Sequence, residues 1–287
     1  MQIAIQHIQH ELQGLYPETE IRSFCYLIVE KLTGFSRTEI IVNKNTLFSK
    51  EQHHTVDSFI LKLRNFVPIQ YILGETEFYG LPFNVNESVL IPRPETEELV
   101  DLIQRENNRD ANLQILDIGT GSGCIAISLK HEFKHATVEA FDISEKALET
   151  AKTNAELNKL DVTFSKVDIL GSPEFETKWD VIVSNPPYVT ELEKADMQPN
   201  VLNNEPHLAL FVPDNDPLLF YRHIALFAQK HLKPQGKLYF EINREFGQAT
   251  MNLLNELGYT EVEVRKDISG NDRMVRAVYG KRLVVGS

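Results

Sequence analysis

The sequence has little of what several large protein classes require. Cysteine occurs only twice in 287 residues, at Cys25 and Cys124. A disulfide scaffold needs several such residues at close spacing, so that class is excluded, and both thiols, set in apolar surroundings, are expected to be free and buried. No stretch approaches the ~20 consecutive apolar residues of a membrane-spanning helix. The start, Met1-Gln2-Ile3-Ala4-Ile5, lacks the basic end and apolar run of a secretory leader. A cytoplasmic protein with no membrane partner is the expectation. Basic charge is also scarce: 29 Lys and Arg stand against 41 Asp and Glu, a net charge of -12. Nucleic-acid binding draws much of its affinity from phosphate neutralisation, so this balance argues against a nucleic-acid partner, although a local basic patch inside an acidic total is not excluded. The one adjacent histidine pair, His53-His54, lacks ligand-type spacing to cysteines or acids, and no metal is expected.

What is present is ordinary globular composition, 42% hydrophobic and 24% charged, in a chain long enough for two domains. The first ~70 residues read as helices. Ile21, Phe24, Cys25, Ile28 and Leu32 recur at helical spacing, and Gly34 is placed to end that helix. Ser36-Arg37-Thr38-Glu39 has the form of a capping box. Ser49 opens a further helical pattern that reaches Val67, with Pro68 after it. Phe78-Tyr79 and Phe83-Asn84-Val85 flank Gly80-Leu81-Pro82, the pattern of a short β-hairpin. From Leu113 onward, strands and helices alternate. Strands are expected at 114–117, 137–141, 162–165, 180–184 and 236–242, with helices at 124–130, 144–157, 217–231 and 248–257. Two last strands, at 260–265 and 274–279, have no helix between them. The alternation predicts an α/β fold with a mostly parallel sheet, and the helix-free pair an antiparallel edge.

Three strand ends carry candidate binding residues. After the first, Asp117-Ile118-Gly119-Thr120-Gly121-Ser122-Gly123 makes a glycine-rich turn into a helix. Its spacing is Gly-x-Gly-x-Gly, which differs from the dinucleotide fingerprint. Asp142 ends the second strand, where a carboxylate can accept both hydroxyls of a ribose; it can equally cap the helix from Ser144. Asp168 follows the third, placed to accept from an adenine amine with Ile169 packed on the ring, or to stand as a solvated turn acid. Each signal is weak alone. Their order and spacing favour S-adenosylmethionine as the ligand.

The most specific segment is Asn185-Pro186-Pro187-Tyr188, directly after the strand Val181-Ile182-Val183-Ser184. The prolines remove two backbone donors and fix two φ angles, while their carbonyls remain acceptors. Asn185 adds a side-chain carbonyl oxygen, and Tyr188 an aromatic face and a hydroxyl. Such a rigid set of acceptors suits a planar NH₂ group. An amide nitrogen is a poor nucleophile because its lone pair is delocalised into the carbonyl. Holding both N–H bonds orients that lone pair and stabilises the positive charge that develops on nitrogen. A conjugated amide and an aromatic amine satisfy this chemistry equally.

The chain resembles the protein-(glutamine-N5) methyltransferases, specifically the peptide chain release factor glutamine methyltransferases. The resemblance is specific in Pro68 to Gly74, Leu90-Ile91-Pro92-Arg93-Pro94-Glu95-Thr96, Ile115 to Gly123 and Val183 to Tyr188, with Asn204-Glu205-Pro206 and Gly270-Asn271-Asp272-Arg273 also similar. It is weakest in the N-terminal helices. It implies a helical substrate-docking domain at 1–75, a β-hairpin linker at 76–90 and a seven-stranded methyltransferase domain at 91–287. The substrate it implies is the glutamine of the Gly-Gly-Gln loop of class 1 release factors; a monomer is expected, though no residue pattern carries that expectation. By position, Gly119, Thr120, Gly121, Ser122, Gly123, Asp142, Asp168, Ile169 and Asn185 would line the cofactor. Asn185 and Pro186 would grip the glutamine amide, with Pro187 and Tyr188 shaping its slot. Arg93 and Glu95 would stand near the rim without an assigned step. Some relatives carry an aromatic residue where Ile169 stands, which weakens stacking on adenine here. Competing readings are a ribosomal-protein glutamine methyltransferase, a DNA methyltransferase acting on the adenine amine, and a non-enzymatic cofactor-binding module.

Overall fold

The structure, a computed structural model, describes residues 1–280; residues 281–287, the end of the expected C-terminal domain, lie outside the described residues. The chain divides into two compact units, one of Met1–Gly74 with Gln198–Asn204, the other of Glu75–Met197 with the chain from Glu205 onward. No helix among the described residues is long and apolar enough to cross a membrane.

The first unit is helical: α1 Gln2–Leu12, α2 Glu18–Thr33, α3 Arg37–Val42, α4 Lys50–Arg64 and α5 Ile69–Leu73. Local chemistry sets its helix ends. Gly34 closes α2 in the left-handed conformation, φ 70°, which glycine adopts without a Cβ penalty. Ser36 and Glu39 form the expected capping box at α3, and Ser49 with Gln52 forms a second at α4. The apolar stripes of α1, α2 and α4 meet in one core around Ile8, Ile28 and Leu63. The Tyr16 hydroxyl donates to the Leu63 carbonyl at 2.6 Å.

The second unit opens with a hairpin, β1 Glu75–Phe78 and β2 Leu81–Asn84. Its turn is Tyr79-Gly80, slightly earlier than the Gly80-Leu81-Pro82 expected from sequence. Both turn residues have positive φ, which matches the twist of the strands and leaves Leu81 and Pro82 free to pair. Phe78 and Phe83 from this hairpin are buried in the core of the unit. Then follow α6 Pro94–Glu106, β3 Gln114–Ile118, α7 Cys124–Glu132, β4 Thr137–Asp142, α8 Glu145–Asn158, β5 Thr163–Lys166, β6 Trp179–Ser184 and β7 Val189–Thr190. After α9 Pro199–Asn204, which belongs to the first unit, come β8 Phe211–Val212, α10 Leu219–His231, β9 Leu232–Glu241, α11 Gly247–Glu256, β10 Thr260–Lys266 and β11 Asp272–Val278. In the first unit, α9 is tied by Asn204 Nδ2, which donates to the Phe66 carbonyl at 3.0 Å.

Seven strands form one sheet in the order β10-β11-β9-β6-β3-β4-β5. Strands β5, β4, β3, β6 and β9 run parallel, and β11 is antiparallel to both neighbours, as the helix-free ending predicts. Alternate residues of the central strands face opposite cores: Val181, Val183 and Tyr239 one, Ile182, Leu238 and Phe240 the other. Strand β9 starts at Leu232, earlier than Gly236, with a register irregularity between the two. A Cβ on Gly236 would stand 2.8 Å from the Lys233 carbonyl, so glycine is what lets the strand carry this kink. From β3 the chain winds outward through β4 to β5, then returns to β6 on the other side. That reversal opens a crevice beyond the carboxyl ends of the strands.

Candidate active site

The carboxyl ends of β3 to β6 border one cleft of about 200 Å³. Gly119, Thr120, Gly121 and Ser122 enter it from β3, and Asp142 from β4. Asp168 and Ile169 come from the end of β5, and Asn185, Pro186 and Pro187 from the end of β6. The Asp142 carboxylate is fixed by its neighbours: Oδ2 accepts from the Gly121 N–H at 2.9 Å and Oδ1 from the Ser144 N–H at 2.8 Å. The helix cap itself is Ser144, whose Oγ accepts from the Ala147 N–H at 3.2 Å. The Ile143 N–H also reaches the Asp142 carboxylate, which, with about four acceptor sites, keeps capacity for one more donor. Burial pushes its carboxyl above the usual range, and the Ser144 and Gly121 N–H groups pull it back. Asp168 is exposed and accepts from the Leu170 N–H at 2.9 Å, while Ile169 is buried.

Two expected residues do not line the cleft. Gly123 lies beneath it, at φ 83°, where a Cβ would meet Ile127 Cδ1 at 2.9 Å and Ala151 Cβ at 3.1 Å. Its role in the fold is close packing of α7 against α8. Tyr188 turns away from the cleft, packs against the core, and donates its hydroxyl to Glu241 Oε1 at 3.2 Å. Burial, then the Glu241 charge, raises its pKa. Cys124, expected to be buried, is instead half-buried and borders the cleft, because the glycine turn above it exposes the first turn of α7. Its thiol is pushed up to about 12 by burial, which leaves it protonated and unreactive near neutral pH.

The loop after β6 is held from several directions. The Ser184 hydroxyl donates to the Ile118 carbonyl at 2.6 Å, which locks the loop's root to β3. Asn185 Nδ2 donates to Thr96 Oγ1 at 3.3 Å, and the Thr96 hydroxyl donates to Glu241 Oε2 at 2.6 Å. Asn243 Nδ2 donates to the Tyr188 carbonyl at 3.2 Å. Glu241 ends β9 and is fully buried; burial raises its pKa, opposed by the Thr96 hydroxyl and the nearby Arg273 charge. At the rim, Arg93 Nη2 stands 2.6 Å from Glu205 Oε1, so two segments far apart in sequence meet beside the cleft.

Two family models match, the PrmC N-terminal domain over residues 4–74 and the Methyltransferase small domain over residues 95–207. The release factor glutamine methyltransferase of Flavobacterium psychrophilum is 50% identical over 92% of this chain and 94% of its own length. The chain belongs to the release factor glutamine methyltransferase family. The enzyme of the same name from Bacteroides thetaiotaomicron is 48% identical over 94% of this chain and 97% of its own length. A Pyrococcus furiosus methyltransferase shares the fold, with TM-score 0.52 at 20% identity over 82% of this chain and 100% of that one.

A release factor glutamine methyltransferase takes its methyl group from S-adenosylmethionine, and the cleft has the chemistry for that cofactor. Asp142 keeps acceptor capacity for a ribose hydroxyl, and Ile169, Ile143 and Phe220 supply apolar walls. Sequence reasoning missed Thr96 and Glu241. Thr96 stood inside the quoted segment Leu90 to Thr96 without a role. Glu241 carried one legible signal, an acid ending the otherwise apolar strand Leu238-Tyr239-Phe240.

Proposed function

We propose that this release factor glutamine methyltransferase methylates the side-chain amide nitrogen of the glutamine in the Gly-Gly-Gln motif of class 1 release factors. The observation that carries this reading is the acceptor-rich Asn185-Pro186-Pro187 edge on the same cleft as Asp142 and the glycine turn. Gly119, Thr120, Gly121 and Ser122 would hold the cofactor, with Gly123 packing beneath that turn. Asp142 would accept from the ribose hydroxyls and Asp168 from the adenine amine, with Ile169 as an apolar contact for the ring. Bound S-adenosylmethionine supplies an electrophilic methyl group on a sulfonium.

The chain's own residues prepare the acceptor. Asn185 Oδ1 and the Pro186 carbonyl accept the two N–H bonds of the glutamine amide. That grip turns the nitrogen lone pair toward the methyl and stabilises charge growing on nitrogen. Alignment alone can lower the barrier by ~7–11 kcal/mol in favourable cases. Pro187 shapes the slot, and Tyr188 supports it from behind through Glu241. We read the helical unit as the part that docks the release factor, and the enzyme as a cytoplasmic monomer acting on protein and not on nucleic acid.

The test is transfer of labelled methyl groups to a purified class 1 release factor. Replacing the glutamine of Gly-Gly-Gln by alanine abolishes labelling if the reading is right. Persistent labelling of that variant sinks it, as does labelling of a ribosomal protein or duplex DNA in place of the release factor.

A further inference from the structure

One buried carboxylate grips both ends of the Asn185–Tyr188 loop. Glu241 Oε1 accepts from the Tyr188 hydroxyl at 3.2 Å, and Oε2 accepts from the Thr96 hydroxyl at 2.6 Å. Thr96 in turn accepts from Asn185 Nδ2 at 3.3 Å. Pro94 starts α6, which places Thr96 in the helix's first turn. Strands β9 and β6 pair in parallel with Ser184 beside Phe240, so Asn185, the first residue after β6, follows that pair as Glu241, the last residue of β9, does.

We propose that Thr96 and Glu241 are positioning residues, forming a one-way hydrogen-bond relay that turns the Asn185 amide so that its Oδ1 faces the glutamine amide. The direction follows from donor and acceptor inventories. The Thr96 hydroxyl donates to Glu241 Oε2 at 2.6 Å, so its one proton is spent on that contact. The Thr96 oxygen then has only lone pairs for Asn185, and the group that meets it is the NH₂ end of the Asn185 amide. The carbonyl end is left for the cleft. Were the amide reversed, its NH₂ would face the substrate's NH₂, two donors without an acceptor. An asparagine amide has nearly the same shape in both orientations, so the hydrogen bonds alone choose between them.

Stability alone does not account for this arrangement. Burying a carboxylate carries a desolvation penalty, and apolar replacements of buried charged groups are often neutral or stabilising. Glu241 has only 1% of its surface exposed, and both its oxygens are engaged on the loop or on Thr96. Arg273, held at 3.1 Å by Asp267, supplies nearby positive charge. The family-like segments Leu90 to Thr96 and Gly270 to Arg273 thereby acquire a common task, support of the Asn185 loop.

The proposal rests on the role given to Asn185 above, and its test separates the two. Thr96→Val removes the hydroxyl at nearly constant shape; Thr96→Ser keeps it. Each is assayed in the full chain with labelled S-adenosylmethionine and a class 1 release factor, with cofactor binding by calorimetry and folding by thermal melting. The expected result for T96V is kcat down by about 10- to 100-fold, with KM for the release factor and cofactor affinity close to wild type. T96S recovers most of the lost turnover. Should T96V not fold, Thr96→Cys, whose thiol is a weak acceptor, must fall below T96S in kcat. T96V within twofold of wild type overturns the relay, and so does T96S falling as far as T96V, which would assign the effect to packing. Wild-type protein that fails to label the release factor overturns the function itself.

Discussion

Asn185 Nδ2 donates to Thr96 Oγ1 at 3.3 Å, and the role proposed for it turns its carbonyl oxygen to the cleft. Replacing it by alanine removes one preorganised acceptor. Asn185→Ala should lower kcat by about 2.7–4 kcal/mol in barrier terms while much cofactor binding survives, measured by methyl transfer and calorimetry side by side. Wild-type turnover would refute the role. A second residue-scale prediction concerns Asp117, which is fully buried, accepts from the Thr120 hydroxyl at 2.6 Å, and has its carboxyl pushed up to about 7 by burial. A carboxyl whose pKa is higher folded than unfolded favours the fold below its unfolded pKa of 3.8 and loses that contribution as pH rises through about 7. Asp117→Asn cannot ionise. It should therefore gain stability relative to wild type between pH 5 and pH 8, by at most about 2.7 kcal/mol, read from thermal melts at both pH values. An equal difference at both would contradict the assignment. At this scale the loop itself was legible, because Asn185 to Tyr188 are contiguous. Thr96 and Glu241 were not, because they meet across 145 residues of sequence, and only strand order brings them together.

Elements follow from local patterns wherever their ends are set by neighbouring residues. The capping box at Ser36 and the glycine stop at Gly34 appear where the sequence places them, and the order of strands and helices follows the expected alternation. The hairpin turn and the start of β9 shifted, because both depend on pairing with a partner strand. The glycine turn between β3 and α7 tests how tightly an element can be specified. Gly123→Ala must adopt φ 83° and push against Ile127 and Ala151. Left-handed backbone and overpacking together should destabilise by about 2–4 kcal/mol, measured by denaturant unfolding, with weaker cofactor binding. Unchanged stability would show that α7 and α8 can part without loss.

At the scale of the whole molecule, every residue assigned to the cleft belongs to the unit of Glu75–Met197 and the chain from Glu205 onward. Removing residues 1–74 should therefore leave S-adenosylmethionine binding largely intact, read by calorimetry on protein checked by melting. Transfer to an intact release factor should fall further than transfer to a short Gly-Gly-Gln peptide, if the helical unit docks the substrate. Equal losses on both substrates would remove that role. Composition and strand–helix alternation determined the α/β class and the antiparallel ending, and contiguous motifs picked out several residues that border the cleft, though not Gly123 or Tyr188 among those expected, because alternation, turns and strand-end acids are short-range patterns. Three things were decided only by tertiary structure: that Tyr188 faces a buried carboxylate, that Gly123 packs beneath the site, and which way the Asn185 amide turns. Each depends on groups distant in sequence and adjacent in space, and hydrogen-bond direction exists only once those groups have met.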